Sequence, residues 1–252
     1  RDIGPTFLLG PYGARACVAW QFNAWGNKYF PYADDKEFAA LVAAGIDVRA
    51  YAAPLVCEGG AIHVDGEGTL ITTEQCLLNS NRNPNLTRQQ VEERLALFTG
   101  ARRVIWLGEG FSDEETDGHV DNIACFAGLG RVIVGVPAAK SHPDFEPAVE
   151  AIRRLSEARD AEGRKLQIIE IIQPKTQRTD WRGRPLQASY VNFYLANGGV
   201  VMPAFDDAHD ERARETIAQC FPGRDILQID ALDIVEGGGG IHCITQQEPA
   251  EQ

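Results

Sequence analysis

Several features that would assign the chain to a special class are missing from its sequence. No apolar run approaches the roughly 20 residues that cross a bilayer, so a membrane partner is not expected. No basic segment followed by an apolar one opens the chain, so a secretory signal is not indicated. No stretch is rich in lysine and arginine, and 36 acidic residues outnumber 24 basic ones. Nucleic acid is therefore not an expected partner.

Cysteine is scarce and scattered along the chain. The six cysteines form no CxxC pair, and the sequence has no HExxH motif. This spacing argues against a disulfide framework and a zinc ribbon, and it favours the reducing cytoplasm. Five cysteines lie in apolar runs or helices and are expected in the core: Cys17, Cys57, Cys76, Cys125 and Cys220. The sixth, Cys243, directly follows "GGGGIH".

The remaining composition is typical of a globular protein with a sizeable core. The 252 residues are 44% hydrophobic and 24% charged, which suits one large domain or two small ones. A net charge of −12 would favour the approach of a cation, although solubility alone also explains an acidic surface. The chain opens with Arg1 rather than methionine, and we expect further residues upstream.

A weak repeat runs along the chain. Amphipathic helices are predicted at about 34–44, 88–98, 144–158 and 209–220, and each is followed by a β-rich run. The second helix opens with Thr87 and Gln90 as a capping box. The expected apolar faces are Phe38, Leu41 and Val42 in the first helix, Val91, Leu95 and Phe98 in the second, and Phe145, Val149, Ile152 and Leu155 in the third. Helix starts that recur roughly every 53 to 65 residues indicate an array of similar units.

Each β-rich run leads into a polar turn and a further strand. "EGGAIHVD" (58–65), "ETDGHVDN" (115–122) and "EGGGGIHC" (236–243) share an acid, small residues and a histidine. "ASYVNFYL" (188–195) and the opening "RDIGPTF" stand where two further copies are expected. Five related strands, each backed by two more strands and a helix, fit an α/β ring around a pseudo-fivefold axis. Chance similarity between glycine-rich turns is the alternative.

A ring would bring distant residues together at its centre. The candidates there are Asp2, Glu58, His119, Asp121 and Cys243. Cys243 could act as a nucleophile if a positive charge, such as that of the His119 imidazolium, favoured its thiolate. Three carboxylates would oppose a thiolate unless the substrate were cationic. A planar guanidinium matches carboxylates in paired hydrogen bonds, and glycines before the cysteine would leave room for it to approach.

Each candidate also has a plainer structural explanation. Cys243 could be a small buried hydrophobe, and the other four candidates could be ordinary turn residues. His63 and His242 are assigned structural roles, because His242 in a strand would point away from the face of Cys243. A zinc site formed by His119, Asp121, Cys243 and Glu58 is a rival chemical interpretation.

The quoted segments resemble the agmatine deiminase and bacterial-type peptidylarginine deiminase family of the guanidino-group-modifying superfamily. The similarity extends over nearly the whole chain, through "RDIGPTF", "FNAWGNKY", "EGGAIHVDGEGTLITTEQCLLNSNRNP", "ETDGHVDN", "ASYVNFYLANGGVVMPAF" and "GGGGIHCITQQEP". Agmatine deiminases are the most similar members. The family normally has a segment before its "RD.GP" motif, so the resemblance implies an N-terminally truncated chain with an incomplete first blade.

The resemblance implies a five-bladed α/β propeller of ββαβ repeats, formed by a single deiminase catalytic domain over 1–252. It implies that Cys243 is the nucleophile, that His119 is the general acid and base, and that Glu58 lies beside them. Asp2 and Asp121 would grip the guanidinium nitrogens. No metal or organic cofactor is expected, and a homodimer is the implied assembly.

The function implied is hydrolysis of agmatine to N-carbamoylputrescine and ammonia through a covalent thiouronium, in putrescine synthesis or arginine breakdown. Deimination of free or peptidyl arginine is the alternative within the same chemistry. It would require a basic residue at the far end of the pocket, for which Arg15, Arg49 and Arg182 are open candidates. A non-catalytic module that binds guanidino compounds or polyamines is the alternative outside enzymes.

Overall fold

Four copies of one ββαβ pattern form most of the fold. In the computed structural model, which describes residues 1–112 and 115–250, each copy contains a three-stranded sheet. The first two strands of every sheet are antiparallel, and the third runs parallel to the second after a helical crossover. The repeat expected from the helix spacing is therefore present as four ββαβ units.

The units have the following elements. The first contains β1 (Thr6–Leu9), β2 (Arg15–Gln21), a short turn α1 (Ala24–Asn27), α2 (Ala33–Gly45) and β3 (Arg49–Val56). The second contains β4 (Ile62–Val64), β5 (Thr69–Thr73), α3 (Glu74–Leu77), α4 (Arg88–Thr99) and β6 (Arg103–Leu107). The third contains β7 (Ala124–Phe126), β8 (Arg131–Val136), α5 (Phe145–Glu157) and β9 (Gln167–Ile172). The fourth contains β10 (Tyr194–Ala196), β11 (Gly199–Ala204), α6 (Asp210–Cys220) and β12 (Asp225–Asp230), and α7 (Leu232–Glu236) follows it.

The central strands are rich in β-branched residues because both of their faces are covered. Every residue of β5 ("TLITT") is buried, as is all of β8 ("RVIVGV") after its first residue. The core lies between successive units rather than inside each one. Leu55 of β3 shares a cluster with Leu95 of α4, Leu107 of β6 with Val134 of β8, and Ile171 of β9 with Ile217 of α6. No single unit could bury this apolar surface alone.

All four predicted helices are present, but two of them bury other residues than expected. The capping box of Thr87 and Gln90 opens α4, and Val91 and Leu95 are buried as predicted. In α2 the buried residues are Ala39 and Ala43, whereas Leu41 is 65% exposed. The "EFAALVAA" sequence is apolar on several sides, so periodicity does not identify the face that meets the sheet. Small alanines there let the helix approach its strands closely.

The same shift occurs in α5. Its buried residues are Ala148, Ala151 and Leu155, and Val149, which was expected on the buried face, is exposed. Leu155 is thus the one expected residue that is fully buried.

Two expectations about the repeat need correction. The first unit, expected to be incomplete, has both antiparallel strands, its helix and its third strand. The fifth strand, expected within 236–243, is absent, because α7 ends at Glu236 and the following residues form turns. Gly238 has a φ of 98°, which favours a turn there over an extended strand.

The described helices include none with the length and apolar character required to cross a membrane.

Candidate active site

Five short segments from different parts of the chain meet at one place. They carry Asp2 before β1, Glu58 between β3 and β4, His119 and Asp121 before β7, Asn192 before β10, and Cys243 after α7. All five residues predicted from the sequence are therefore close together, joined by a continuous set of contacts. Four of these segments lead directly into the first strand of a unit.

Asp2 is held between two donors. Its Oδ1 accepts a hydrogen bond from the Gly60 amide at 2.9 Å, and its Oδ2 accepts one from Trp25 Nε1 at 2.9 Å. The same Oδ2 lies 3.7 Å from His119 Nδ1. Trp25 reaches Asp2 from a turn in which Ala24, Trp25 and Asn27 all have a left-handed backbone, with φ values of 51° to 64°. Such strain in residues other than glycine is often found at functional sites.

Glu58 is fully buried and paired with a buried arginine. Arg82 Nε donates to Glu58 Oε1 at 2.7 Å, and neither side chain is exposed. The other oxygen, Oε2, lies 3.7 Å from His119 Nε2 and accepts from the Cys76 thiol at 3.9 Å. Burial raises the pKa of Glu58, but the neighbouring His119 and Arg82 outweigh it, so the pKa lies below its ordinary value. Glu58 is therefore a carboxylate despite its burial.

Arg82 also fixes the loop that carries His119. Its Nη1 donates to Asp117 Oδ2 at 2.7 Å, and its Nη2 donates to the Thr116 carbonyl at 3.0 Å. Asp117 and Gly118 have φ values of 58° and 82°, so the loop turns sharply before His119. One buried side chain thus sets the position of both Glu58 and the histidine loop.

His119 is 1% exposed and lies between two carboxylates. Its Nδ1 faces Asp2 and its Nε2 faces Glu58, each at 3.7 Å, and neither nitrogen has a hydrogen-bond partner in the described chain. Burial lowers the pKa of His119, but Asp2, Cys76 and Glu58 raise it more, so the net pKa is well above its ordinary value. The ring is therefore an imidazolium at neutral pH.

Asp121 connects the histidine loop to Cys243. Its Oδ2 lies 2.8 Å from His242 Nδ1 and accepts from the Cys243 thiol at 3.5 Å. Burial raises the pKa of Asp121, but His242, His119 and Arg1 together lower it to about 2. Its Oδ1 is buried and has no partner among the described residues. An acceptor in that state is ready for a donor from a ligand.

Asn192 positions the turn that holds Cys243. Its Nδ2 donates to Cys243 Sγ at 3.2 Å and to Asn122 Oδ1 at 3.0 Å. Its Oδ1 accepts from the His242 amide at 2.8 Å. This amide therefore acts as a clamp between the fourth unit, the histidine loop and the cysteine turn.

The environment of the thiol differs from the expectation that His119 would favour a thiolate. Burial raises the pKa of Cys243 above its ordinary value, and the Asp121 and Asp2 charges raise it further. The main groups that lower the pKa are the Gly240 backbone and Asn192, and they do not offset the rise. The resting site therefore holds a thiol, and a cation beside the carboxylates would be needed to favour the thiolate.

Glycines provide the space around these groups. A Cβ built on Gly60 would lie 2.5 Å from His119 Nδ1 and 3.0 Å from both Asp2 Oδ1 and Asp121 Oδ2. A Cβ on Gly239 would lie 2.8 Å from Cys243 Cβ, and one on Gly240 would lie 2.3 Å from Asn192 Oδ1. The glycine run before Cys243 is therefore explained by close packing against the cysteine and its clamp.

A cavity of about 500 Å³ opens onto this cluster. Asp2 and Cys243 line its inner end, Trp25 and Tyr29 form an aromatic wall, and Gly237, Gly238 and Gly239 form part of another side. Asp35, Glu115, Glu236, Arg1 and Arg184 supply the charged groups of its lining. The cavity is large enough for a small flexible molecule, and an aromatic wall beside carboxylates suits a cation.

Two sequence-based assignments change with the structure. His242, expected to point away from the cysteine face, pairs with Asp121, because 237–243 forms turns and not a strand. The zinc alternative joined His119, Asp121, Cys243 and Glu58. Among the described residues, the group with ligand atoms within 4.8 Å of one another is Glu58, Cys76 and His119. The Arg82 cation, 2.7 Å from Glu58, opposes a metal ion there.

Sequence reasoning missed Arg82, Asn192 and Trp25, and it gave His63 and His242 only structural roles. The role of His63 is structural: its Nδ1 accepts from the Phe126 amide, and its pKa is lowered to about 3, mainly by burial. The missed residues lie inside the quoted segments "NSNRNP", "SYVNF" and "FNAWGN". In the sequence, each of them is a single polar or aromatic residue outside any periodic pattern. Its role becomes visible only through the contacts that it makes between units.

The chain resembles one known protein family over nearly its whole length. The family model described as Porphyromonas-type peptidyl-arginine deiminase matches residues 1–249. A Legionella pneumophila protein is 46% identical over 250 residues, which cover 99% of this chain and 71% of that protein. The agmatine deiminase of Pseudomonas aeruginosa is 40% identical over 274 residues, covering 99% of this chain and 74% of the relative.

Solved structures of agmatine deiminases are also similar to this chain. The agmatine deiminase of Enterococcus faecalis superposes with a TM-score of 0.96 at 38% identity, covering all of this chain and 74% of that one. A cysteine-to-serine variant of C. jejuni agmatine deiminase with substrate bound superposes with a TM-score of 0.86 at 27% identity. That match covers 96% of this chain and 71% of the other.

Proposed function

The chain belongs to the Porphyromonas-type peptidyl-arginine deiminase family, and from that premise we propose that it hydrolyses agmatine to N-carbamoylputrescine and ammonia. Relatives named agmatine deiminase at 40% identity, over nearly the whole chain, support the substrate. The bound substrate of the C. jejuni enzyme supports a small guanidino ligand in this fold.

The observation that carries the proposal is the cluster of charged groups packed around Gly60, beside the cavity that Asp2 and Cys243 line. The cluster consists of the imidazolium of His119 and the carboxylates of Asp2 and Asp121, all within about 3 Å of the point where a side chain would begin. Cys243 Sγ lies 3.5 Å from the same Asp121 oxygen. A planar cation that enters the cavity beside Asp2 and Cys243 can be held there, because carboxylates accept N–H donors while the sulfur lies beside the central carbon.

Binding of the guanidinium would activate the thiol. Asp121 Oδ1, which is buried without a partner, is the natural acceptor for one guanidinium nitrogen, and Asp2 accepts from another. The cation neutralises the two charges that raise the pKa of Cys243, so the thiol releases its proton to solvent. The thiolate then adds to the central carbon, forming the C–S bond.

His119 would supply and recover a proton in the following steps. The imidazolium protonates one amino group of the tetrahedral adduct, ammonia leaves, and a thiouronium remains on Cys243. Neutral His119 takes a proton from water as hydroxide adds to the same carbon. The C–S bond breaks, the thiolate departs, and the hydroxyl proton is released as the ureido product forms. Glu58 keeps His119 charged before each cycle, and Arg82 holds Glu58.

We also propose a larger arrangement for the chain. The four units and segment 239–243 would surround one pseudo-fivefold axis as a five-bladed α/β propeller, with 1–252 acting as a single catalytic domain. Support comes from the five segments that meet at the site, four of which lead into the first strand of a unit.

The six cysteines have free thiols, which supports a cytoplasmic protein. The homodimer stays a prediction.

Two alternatives have less support. Arginine as substrate called for a basic residue at the far end of the pocket, yet none of Arg15, Arg49 and Arg182 lines the cavity. Arg15 pairs with Glu248, and the other two lie over the rings of Tyr51 and Trp181. A module that only binds guanidines would need neither the cysteine nor the buried imidazolium.

The test uses release of ammonia and formation of a ureido product from agmatine. Cys243→Ser should lower turnover by at least about 1,000-fold, because a hydroxyl is a far weaker nucleophile than a thiol. Agmatine binding, measured by calorimetry on the same variant, should change by less than about tenfold. Cys17→Ser, at a buried cysteine that packs in a separate core cluster with Ala43 and Val48, is the control for cysteine loss. Substantial turnover by the Cys243 variant would rule out the nucleophile.

A further inference from the structure

The proposed chemistry places a negative charge on one atom, Cys243 Sγ, at two points of the cycle. The first is the ionisation of the thiol before attack, and the second is the departure of the thiolate as the ureido product forms. The guanidinium offsets the nearby carboxylates at the first point. At the second point that positive charge has been lost, because the ureido product is neutral. A protein group that stabilises the thiolate is therefore required beside the sulfur.

Asn192 supplies a hydrogen-bond donor to this atom. Its Nδ2 lies 3.2 Å from Cys243 Sγ, and no other side chain among the described residues donates a hydrogen bond to the sulfur. Asn192 precedes β10 and is 1% exposed, whereas Cys243 lies in the turns after α7. A hydrogen bond to a charged atom is strong in such a buried place, because water does not compete for it.

The backbone of the cysteine turn fixes which end of the amide faces the sulfur. The His242 N–H can only donate, and it lies 2.8 Å from Asn192 Oδ1. Nδ2 also donates to Asn122 Oδ1 at 3.0 Å. Exchange of the amide oxygen and nitrogen would set two donors against each other at His242 and two acceptors at Asn122. The amide NH2 group is therefore held on the side of Cys243.

Gly240 provides the space for this amide. A Cβ built on Gly240 would lie 2.3 Å from Asn192 Oδ1 and 2.7 Å from its Cγ, so a side chain there would displace the amide. Gly240 does not have a positive φ, so its backbone conformation does not require glycine. One glycine of the run before Cys243 is thus explained by the close approach of Asn192.

The hydrogen bond favours the thiolate over the thiol. A neutral thiol is a weak acceptor, whereas a thiolate is charged and accepts strongly. The same N–H of Asn192 therefore contributes more after Cys243 has lost its proton. An interaction that strengthens as the reaction proceeds lowers the barrier, whereas one of constant strength does not.

The charged groups around the sulfur act in both directions. Burial raises the pKa of Cys243 most, the charges of Asp121 and Asp2 raise it further, and the Asn192 hydrogen bond acts in the opposite direction. The Arg1 cation also favours a thiolate at this position, but no hydrogen bond between Arg1 and the sulfur is present among the described residues. The direct hydrogen bond to the reacting atom thus comes from a neutral amide.

We propose that Asn192 is a catalytic residue of the deimination, whose amide stabilises the Cys243 thiolate both when it forms and when it departs. The inference rests on the proposed function, because it assigns a role within that reaction. The donor is in place before the substrate arrives, so no reorganisation is needed as the charge develops.

The first test separates donation to the sulfur from support of the turn. Asn192→Asp keeps an oxygen for the His242 N–H but replaces the donor to Cys243 with an acceptor. The rate of Cys243 alkylation by iodoacetamide from pH 6 to pH 10, measured by mass spectrometry of its peptide, reports the thiolate. Loss of a hydrogen bond to a charged group lowers the thiolate fraction about 10- to 100-fold. The more basic thiolate recovers about the square root of that factor, so alkylation should slow about 3- to 10-fold.

Asn122→Asp is the charge-matched control. It adds the same charge nearby but keeps the acceptor for Asn192 Nδ2, so its decrease in alkylation rate should be smaller. Equal decreases in the two variants would assign the effect to added charge and overturn the inference. An unchanged alkylation profile in Asn192→Asp would overturn it as well.

Asn192→Ser provides a second variant in case Asn192→Asp does not fold. It removes the amide without adding a charge, and it should slow alkylation by the same 3- to 10-fold. With agmatine, its kcat should fall about 10- to 100-fold while KM changes less than about threefold, because the lost interaction is made with the reacting sulfur. A raised KM with wild-type kcat and wild-type alkylation would show a structural role only and overturn the inference.

The inference and the proposed function can fail separately, because alkylation does not depend on agmatine. Absence of agmatine hydrolysis by the wild type would overturn the proposed function, while slower alkylation of Asn192→Ser would still show the hydrogen bond to the thiolate. Hydrolysis of agmatine by the wild type, with unchanged alkylation in both Asn192 variants, would overturn the inference alone.

Discussion

Gly60 illustrates how a missing side chain shapes the site. The residue is buried, and a Cβ there would approach one imidazole nitrogen and two carboxylate oxygens at 2.5 to 3.0 Å. Its backbone does not need the left-handed region, so space and not conformation requires glycine. The absence of a side chain at Gly60 therefore lets the imidazole and the two carboxylates pack close together.

Gly60→Ala should therefore abolish activity with a modest effect on the fold. We expect turnover of agmatine to fall by at least about 100-fold, since displacement of reacting groups by about 1 Å has costs of that order. Gly45→Ala is the matched control, because nothing lies within 4 Å of its added Cβ and Gly45 ends a helix. Wild-type kinetics in the Gly60 variant would contradict the need for close packing of these groups.

At the scale of single residues, side chains with reactive or charged groups could be predicted as candidates for the site. Residues that position other side chains could not. Cysteine, histidine and acids in glycine-containing segments stand out in a sequence, and the five candidates were singled out in that way: Asp2, Glu58, His119, Asp121 and Cys243. Arg82 and Asn192 have no local signature, because their role comes from contacts 24 to 51 residues away in the chain. His242 was misassigned because its segment was taken for a strand.

At the scale of elements, local chemistry fixes where the helices begin. In α4, the Thr87 hydroxyl accepts from the Gln90 amide, and the Gln90 side chain accepts from the Thr87 amide. Two amides that the helix itself leaves unpaired are satisfied in this way. Such a signal lies within four residues, so it could be read directly from the sequence.

Thr87→Ala should lower the free energy of unfolding by about 1 kcal/mol through loss of this cap. For a chain of this size, that corresponds to a decrease in Tm of about 2–4 °C. Calorimetry would measure it against Thr216→Ala, a half-buried threonine on α6 whose hydroxyl donates to a carbonyl within the same helix. The control should leave Tm unchanged or raise it slightly, because alanine favours helix. Equal shifts in both variants would refute the capping contribution.

The faces and ends of elements were harder to predict than their existence. The strands that α2 packs against determine which of its faces is buried. Because the α2 sequence is apolar on several sides, the sequence does not identify that face. The segment 236–243 was predicted to be a strand because its sequence resembles that of 58–65. A strand needs a partner, however, and in the described residues this segment pairs with none.

At the scale of the molecule, buried charges from different units stabilise one another. Asp121 has its pKa lowered to about 2, chiefly by His242 acting against burial, and His119 has its pKa raised by Asp2, Cys76 and Glu58. A lowered carboxylate pKa stabilises the fold above its unfolded pKa, and a raised histidine pKa stabilises the fold below its unfolded pKa. The two effects overlap between about pH 4 and pH 6.5.

Stability should therefore decrease on both sides of that range. As pH falls toward 2, protonation of Asp121 should remove on the order of 2 kcal/mol, from the difference between its ordinary pKa and the lowered one. As pH rises through the raised pKa of His119, that stabilisation is lost as well. Tm followed from pH 3 to pH 10 should show both limbs, and Asp121→Asn should flatten the acid limb. An unchanged acid limb in that variant would contradict the assignment.

The distribution of the clustered residues along the chain has a consequence for biosynthesis. The cluster draws on residue 2, on residues near 58, 82, 119 and 192, and on residue 243. A ribosome must therefore deliver almost all of these 252 residues before the sulfur can meet its neighbours. A nascent polypeptide interrupted after three units would hold a buried acid and imidazole without a thiol. The first appearance of ureido product would consequently time the completion of folding.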